Sequence, residues 1–490
     1  MKKIIYSCLM IVPLIMIIFI NMNTLPGLGG EKNIDTIVQK YMTTYRIPGV
    51  EVAVAKDSKI IYAKGFGKTP EGTEVTADTP MYIGSVSKSF TALAVMQLEE
   101  KGKINLDLPV IYYLPWFKVK DDKATQLITV RHLLNHTSGL SESTYFPDLP
   151  NNMTLEAAVK DLAKAEPIAE PGKTFNYFNS NYLVLGLIIE KVSGSSYSEY
   201  INKNIVEPLA MDNTLLSKDE IEERVTKGYS TFFGFPFIKK EPFKSYGLPE
   251  GNIVSTANDM IKFLLAHSDT PNNFDSAILT KEGFRQLQMP NSDIGSDYAM
   301  GWQVTKSKNG YEVIYNSGDL DTYHADVIII PEKGYRIALL INQNSYLYST
   351  VVSNSLKNAI ANHVLGNSKP KNMPVLIKYL ESAGIVVLAI IAYQVISIIC
   401  LVKRKIMIKS GNRIRIFVSI LKDCLIPAIL LIVLPKLATV LLNRRVNIWE
   451  SFNMQPDVTL SFIIISIFCS IHAIVKIVMV FRTLRTIKDV

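Results

Sequence analysis

Four long apolar runs divide the chain and limit where a water-soluble domain can form. One run covers residues 4–20, and three lie near the C-terminus, at residues 384–402, 416 to about 434, and 458–480. A helix of about 20 apolar residues is long enough to cross the hydrocarbon core of a membrane. We therefore predict a soluble domain at residues 31–365, a linker at 366–380 and a three-helix transmembrane domain at 381–490.

The formal net charge of +8 comes from the C-terminal region. From Lys371 onward, 16 Lys and Arg stand against 5 Asp and Glu, so the rest of the chain is slightly acidic. The charge pattern therefore gives no support for nucleic-acid binding, and the partners that we expect are a lipid membrane and a small-molecule or peptide substrate. The oligomeric state stays open.

Basic residues also predict which side of the membrane each part occupies. Six of them crowd the loop between the first two late runs: Lys403, Arg404, Lys405, Lys409, Arg413 and Arg415. Because such loops stay in the cytoplasm, we expect a multi-pass protein of the cell membrane whose soluble domain faces outward. Residues 1–30 are then a signal peptide or an uncleaved N-terminal anchor.

β-favouring runs lie at both ends of the soluble region. Two hairpins are predicted on this basis, at residues 50–56 with 59–65 and at residues 324–331 with 335–342, and residues 311–315 add a strand. A helix is expected at residues 34–45, and the long middle is helix-rich. We predict an α/β fold of the α+β sandwich kind, in which an antiparallel sheet is flanked by helices and carries an all-helical insertion.

Ser85-Val86-Ser87-Lys88 is the motif with the clearest chemistry. It follows Gly84 and opens an apolar helical run. Residues three apart share one face of a helix, so the amine of Lys88 is held beside the hydroxyl of Ser85. A serine becomes a useful nucleophile when a neighbouring base takes its proton. A serine and a lysine at this spacing are common by chance, so the motif indicates a catalytic site only when other matching segments accompany it.

Two further segments can complete such a site. Tyr177-Phe178-Asn179 follows a turn-forming stretch, and a tyrosine beside a lysine ammonium loses its proton more easily and can act as general base and then acid. Asn316-Ser317-Gly318 ends the predicted strand at residues 311–315, and its glycine lets substrate approach the backbone closely. The backbone N–H groups of Ser85 and Asp319 then form an oxyanion hole.

These segments, taken with others, resemble the serine β-lactamase and penicillin-binding-protein superfamily, in its class C-like branch. The matching stretches run in the expected order: residues 83–88 (IGSVSK), 130–140 (VRHLLNHTSGL), 171–172 (PG), 177–179 (YFN), 185–190 (LGLIIE), 208–211 (PLAM), 251–259 (GNIVSTAND) and 301–302 (GW). The resemblance implies the sandwich fold and makes Ser85 the acylated nucleophile. It also implies that Lys88 and Tyr177 share proton transfer, and that Asn179 orients the lysine and contacts substrate.

Asn316 departs from the pattern of this superfamily, which usually has Lys or His in that position to hold a substrate carboxylate. Because an asparagine carries no charge, we expect poor turnover of β-lactams and a neutral or differently placed group on the substrate. The three-helix tail resembles prodrug-activating D-aminopeptidases of the colibactin-maturing type. The leading hypothesis is an outward-facing serine hydrolase that cleaves an amide next to a D-residue or an ester.

Other functions remain open at this level. Within the hydrolases they are a penicillin-binding D,D-carboxypeptidase, an esterase and a true β-lactamase. The alternative from another class is a catalytically idle sensor or binding protein for cell-wall fragments or drugs. No cofactor and no metal is expected, since His132 and His136 have zinc-like spacing without the glutamate of the H-E-x-x-H motif.

Overall fold

The structure is a computed structural model that describes residues 24–25, 33–146, 149–267, 278–291, 294–307, 309–367, 373–374, 376–403, 413–433, 435–436, 439 and 448–488. The N-terminal apolar run at residues 4–20, predicted as signal peptide or anchor, lies outside these residues. The chain divides into two compact units, one of residues 28–230 and 236–371, the other of residues 1–27, 231–235 and 372–490.

The first unit is built on a six-stranded antiparallel sheet. Its strands are β1 (Gly49–Lys56), β2 (Lys59–Gly67), β3 (Gln303–Lys306), β4 (Glu312–Asp319), β5 (His324–Ile330) and β6 (Tyr335–Ile341). Their order across the sheet is β2-β1-β6-β5-β4-β3. Strand β1 therefore pairs with β6, with Val50 opposite Ile341. Both predicted hairpins and the sheet made from the two ends of the region are confirmed.

Helices cover both faces of this sheet, which is why the residues of β1 from Gly49 to Ala55 are all buried. Helix α1 (Ile34–Tyr45) and helix α5 (Asn354–Val364) pack on one face and on each other, with the Tyr41 hydroxyl 2.7 Å from Ser355 Oγ. Helix α4 (Ala257–Ala266) packs on the other face, where the buried Glu51 carboxylate accepts a hydrogen bond from the backbone N–H of Ala257.

The middle of the chain supplies the helical insertion. Two long helices, α2 (Ser87–Glu100) and α3 (Ser180–Ser193), form its buried centre. Shorter helices surround them, at Val110–Tyr113, Asp122–Leu127, Val130–Leu134, Leu155–Asp161, Tyr197–Ile201, Lys218–Arg224 and Lys281–Leu287. The strands Met81–Tyr82 and Val254–Ser255 pair within the insertion, and Gly228–Phe232 pairs with Phe235–Lys239.

The second unit is helical. Helix α6 (Leu376–Lys403) begins inside the segment predicted as a linker, and α7 (Arg413–Ala428) continues as a π-helical turn at Ile429–Val433. A short helix at Ile448–Met454 precedes α8 (Pro456–Lys488), and the two-residue strands Thr24–Leu25 and Met373–Pro374 pair with each other. Helix α8 contacts both α6 and α7.

Polar side chains join the three long helices of this unit. Lys476 Nζ lies 2.6 Å from Asp423 Oδ2, which is 3.1 Å from His472 Nδ1, and His472 Nε2 lies 3.1 Å from Ser397 Oγ. Two of the described helices are long and apolar enough to cross a membrane, over Leu376–Leu401 and Pro456–Phe481. The middle span expected at residues 416–434 stays a prediction.

Candidate active site

Ser85 lies in a short 3-10 turn, Gly84–Val86, that leads directly into α2. Gly84 has φ +51°, a left-handed conformation that favours glycine. Its position is crowded as well, because a Cβ on Gly84 would lie 2.7 Å from the backbone N of Asp319. The glycine therefore brings the serine against the end of strand β4.

Lys88 sits one turn along and is completely buried. Its Nζ is 3.0 Å from Ser85 Oγ, 2.7 Å from Asn179 Oδ1 and 2.6 Å from the backbone oxygen of Glu250. These three oxygens surround Nζ and fix the amine beside the serine hydroxyl. The S-x-x-K spacing produces the contact that the sequence predicts.

Tyr177 approaches Ser85 from the loop before α3. Its hydroxyl donates to Ser85 Oγ at 3.0 Å, and Lys88 Nζ lies 5.1 Å from the centre of its ring. Ser85 Oγ therefore has two candidate proton acceptors within hydrogen-bond reach, and the geometry is compatible with either as the general base. Tyr177 is 36% exposed, so this side of the site is open to substrate and water.

Asn179 links Lys88 to the carboxylate of Glu142. Its Oδ1 accepts from Lys88, and its Nδ2 donates to Glu142 Oε1 at 2.5 Å. The orientation of the amide is set from both ends, because only its oxygen can accept from an ammonium and only its nitrogen can donate to a carboxylate. Glu142 was missed by the sequence reasoning, since it lies two residues beyond the matching stretch at 130–140.

His136 supports the Tyr177 loop. Its ring is 4.3 Å from that of Tyr177, and its Nδ1 accepts from the backbone N–H of Phe178 at 3.2 Å. Burial and the nearby Lys88 charge lower the pKa of His136 well below its usual value, so the ring is neutral. His132 instead closes a capping box with Thr129, and the described residues contain no group of His, Cys, Asp and Glu placed to hold a metal ion.

The segment at residues 316–319 faces the site through its backbone. A Cβ on Gly318 would lie 1.9 Å from the Ile83 oxygen and 2.8 Å from the Ser85 nitrogen, so only glycine permits this approach. The backbone N–H groups of Ser85 and Asp319 therefore come close together, as an oxyanion hole requires.

The side chains of Asn316 and Ser317 contact other protein groups, whereas the sequence predicts that they contact substrate. Asn316 is 5% exposed, and its Nδ2 lies within 3.2 Å of three oxygens: Ser85 O, Ser89 Oγ and Gly301 O. Ser317 Oγ lies on the opposite face of the strand, against Asp326 and Lys357. Asn316 thus ties strand β4 to the turn that carries the nucleophile.

The first unit is similar to known proteins over most of its length. The chain matches the β-lactamase family over residues 34–354. It is 28% identical over 342 residues to protein flp of Staphylococcus aureus strain MW2, covering 68% of this chain and 67% of that protein. It is 33% identical over 231 residues to the teichoic acid D-alanine hydrolase of Staphylococcus aureus, covering 46% of this chain and 56% of that protein.

A solved structure supports the same assignment. The octameric penicillin-binding protein homologue from Pyrococcus abyssi aligns with a TM-score of 0.56 and 32% sequence identity, covering 64% of this chain and 73% of that one. The sandwich fold and the superfamily resemblance inferred from the sequence are confirmed. With Ser85, Lys88 and Tyr177 in mutual contact, the chain belongs to the β-lactamase family of serine hydrolases.

Proposed function

We propose that this hydrolase is anchored in the cell membrane, faces outward, and removes D-alanyl groups from esters of a cell-surface polymer. The reaction class follows from the family and the site, and the D-alanyl substrate is suggested by the teichoic acid D-alanine hydrolase that shares 33% identity. The observation that carries the proposal is the position of Asn316, which is neutral and engaged with Ser85, Ser89 and Gly301.

Charge then separates the candidate substrates. Penicillins and peptides that end in D-alanine bring a free carboxylate into the site, and Asn316 supplies no cation to receive it. A D-alanyl ester has no free carboxylate and carries an ammonium group instead. Glu142, hydrogen-bonded to the Asn179 amide at 2.5 Å, places a negative charge on this side of the nucleophile, and opposite charges attract strongly where water is scarce.

The chemistry is a two-step acyl transfer. Ser85 Oγ gives its proton to Lys88 or Tyr177 and attacks the ester carbonyl, while the backbone N–H groups of Ser85 and Asp319 stabilise the oxyanion. The C–O bond to the polymer breaks, the leaving oxygen takes up the proton that came from Ser85 and becomes a polymer hydroxyl, and the D-alanyl group remains as an ester on Ser85. Water then attacks this ester and releases D-alanine and the free serine.

Membrane attachment is supported by the second unit. In the apolar windows of α6 and α8, only 17% and 28% of the residues are buried. A core helix of a soluble protein would bury most of such a surface, whereas a lipid-facing helix exposes it. The basic loop at residues 403–415 then orients the hydrolase outward by the positive-inside rule.

The experiment uses the full-length protein in detergent and measures release of D-alanine from a D-alanyl glycerol ester. The matched substrates are the L-alanyl ester, a peptide ending in D-Ala-D-Ala, and benzylpenicillin, and Ser85→Ala is the control. We expect turnover of the D-alanyl ester and an alanyl adduct on Ser85 detected by mass spectrometry. Faster turnover of the peptide or of penicillin overturns the substrate class.

A fluorophosphonate probe separates a wrong substrate from an idle protein. Labelling of Ser85 without turnover of any of the four compounds rejects the D-alanyl substrate and keeps the hydrolase. Absence of labelling in the folded parent rejects catalysis itself and favours a sensor or binding protein.

A further inference from the structure

Four charged side chains of alternating sign lie in a row behind the end of strand β4. Asp319 Oδ1 is 2.7 Å from His324 Nδ1, and His324 Nε2 is 2.7 Å from Asp326 Oδ2. Asp326 Oδ1 is in turn 2.7 Å from Lys357 Nζ on helix α5. The row runs from Asp319, whose side chain is 49% exposed, into the buried interior.

Both ring nitrogens of His324 face a carboxylate oxygen, so both must donate a hydrogen. A histidine that donates from both nitrogens is the charged imidazolium. The residue is 2% exposed, and its charge is balanced on either side by carboxylates. It is therefore a fixed, buried cation that the reaction chemistry itself does not use.

The pleat of the sheet explains why this row forms where it does. Side chains alternate between the faces of a strand, so Asn316 and Gly318 point towards Ser85 while Ser317 and Asp319 point towards α5. In the pairing of β4 with β5, His324 is opposite Asp319 and Asp326 is opposite Ser317. Lys357 reaches the same face from α5 and contacts Ser317 Oγ at 3.1 Å.

Alternate residues of β4 are thus held by side-chain contacts on the face of the strand opposite Ser85. The Tyr315 ring lies 5.3 Å from Lys357 Nζ, Ser317 Oγ donates to Asp326, and Asp319 accepts from His324 and from Asn344 Nδ2 at 2.9 Å. Asp319 is also the residue whose backbone N–H completes the oxyanion hole with Ser85. A shift of about 1 Å in a catalytic group can cost about a hundredfold in rate.

We propose that His324 is a positioning residue of the hydrolase. Its imidazolium binds the Asp319 carboxylate on one side and the Asp326 carboxylate on the other, and thereby orients the Asp319 backbone N–H towards the acyl oxygen. The inference rests on the proposed function in one respect only, which is that an acyl-enzyme forms on Ser85. Stability is a poor alternative explanation, because apolar residues of similar volume often replace buried ion pairs without loss. The contacts that form this row of charged side chains could not be predicted from the sequence alone.

The test uses full-length protein in detergent with p-nitrophenyl acetate, whose acyl group is uncharged. His324→Gln removes the charge and one of the two donor nitrogens, and His363→Gln, at a partly exposed position on α5, is the matched control. We expect kcat of His324→Gln to fall about a hundredfold with KM within about twofold, since oxyanion stabilisation acts in the transition state. The control keeps the parental values.

A boronic acid provides a readout that a purely structural role would not move. It forms a tetrahedral adduct on Ser85, so its dissociation constant should rise in His324→Gln in proportion to the loss of kcat, as expected for a transition-state analogue. The charge-balanced double variant Asp319→Asn/His324→Gln should recover part of the lost kcat and part of the lost boronate affinity, because a neutral amide at position 319 needs no cation. If His324→Gln does not fold, Lys357→Met, which leaves the His324–Asp319 contact in place, is expected to show the same pattern more weakly.

Unchanged kcat and boronate affinity in folded His324→Gln overturn the proposal, and so does a loss confined to KM. Failure of the D-alanyl ester as a substrate leaves the test intact, because acetate ester and boronate do not depend on it. Conversely, a parent protein that neither cleaves the acetate ester nor binds the boronate rejects both proposals together.

Discussion

The Asn316 side chain lies at the site, but it contacts protein groups in place of substrate. Its amide lies within 3.2 Å of the backbone oxygen of Ser85 and of two further oxygens, and it is almost fully buried. A buried amide that loses such partners costs free energy, so the contacts hold it in place. In the proposed function, the charge that selects substrate comes from other residues, and Glu142 is the carboxylate that contacts Asn179.

Glu142→Gln tests whether that carboxylate recognises an ammonium group. Glutamine keeps an oxygen that can accept from Asn179 Nδ2 but removes the negative charge. We expect KM for the D-alanyl ester to rise about tenfold, equivalent to about 1.4 kcal/mol. Activity on p-nitrophenyl acetate should stay within about twofold. An equal loss on both substrates, measured by initial rates, would assign Glu142 to holding Asn179 alone.

His324 predicts how stability depends on pH. Burial lowers the pKa of His324, but the carboxylates of Asp326 and Asp319 outweigh it and raise the pKa to about 10, with Lys357 and Asn344 completing the surroundings. Because the folded pKa lies above the ordinary value of about 6.5, the stabilisation is full below about pH 6.5. It declines as the pH rises and is lost above about pH 10.

The measurement compares the melting temperatures of the parent and His324→Gln from about pH 6 to about pH 11, followed by tryptophan fluorescence, to which the buried Trp302 contributes. The difference between the two proteins should be largest at the acidic end and narrow towards the alkaline end. A difference that stays constant across this range would mean that the imidazolium is not held as described.

At the scale of elements, the site depends on how closely the Ser85 turn approaches strand β4. Gly318→Ala should abolish this approach, because the new Cβ would lie 1.9 Å from the Ile83 oxygen. We expect fluorophosphonate labelling of Ser85 to slow more than about a hundredfold. Gly251→Ala is the matched control, since its nearest neighbour lies 3.8 Å away. Equal labelling of the two variants would contradict the close approach.

Local patterns were sufficient for the parts of this arrangement that lie close together in the chain. Ser85 and Lys88 share a helical turn, the two hairpins have turn residues between β-favouring runs, and helix α1 begins and ends at the residues predicted from the sequence. The superfamily resemblance placed Tyr177 and Asn179 in the site, and their contacts with Ser85 and Lys88 agree with it.

Residues that meet only through the fold could not be predicted in this way. Glu142 reaches Asn179 across 37 positions, and Lys357 reaches Ser317 across 40. Neither residue has a local pattern that distinguishes it from a surface charge. His324 could be placed on a strand, but its role depends on which residues stand opposite it, and strand register is set by long-range packing.

At the scale of the whole molecule, the topology proposed for the membrane unit can be tested by labelling. Single cysteines at Asp122→Cys, whose side chain is 87% exposed, and at Lys409→Cys in the basic loop are compared in a background lacking Cys8, Cys400, Cys424 and Cys469. A membrane-impermeant maleimide on intact cells should label position 122 and leave position 409 unmodified until the cells are opened. The reverse pattern would place the hydrolase inside.

The pairing of β1 with β6 has a consequence for how the enzyme is made. The first strand of the unit needs the last one as its neighbour, and the Ser85 turn needs Gly318 and Asp319 from β4. In the proposed topology, a chain delivered from its N-terminus must therefore bring almost the whole hydrolase unit across the membrane before its nucleophile has an oxyanion hole. In the proposed topology, nascent chains are catalytically silent in the cytoplasm, and activity begins only where the substrate is found.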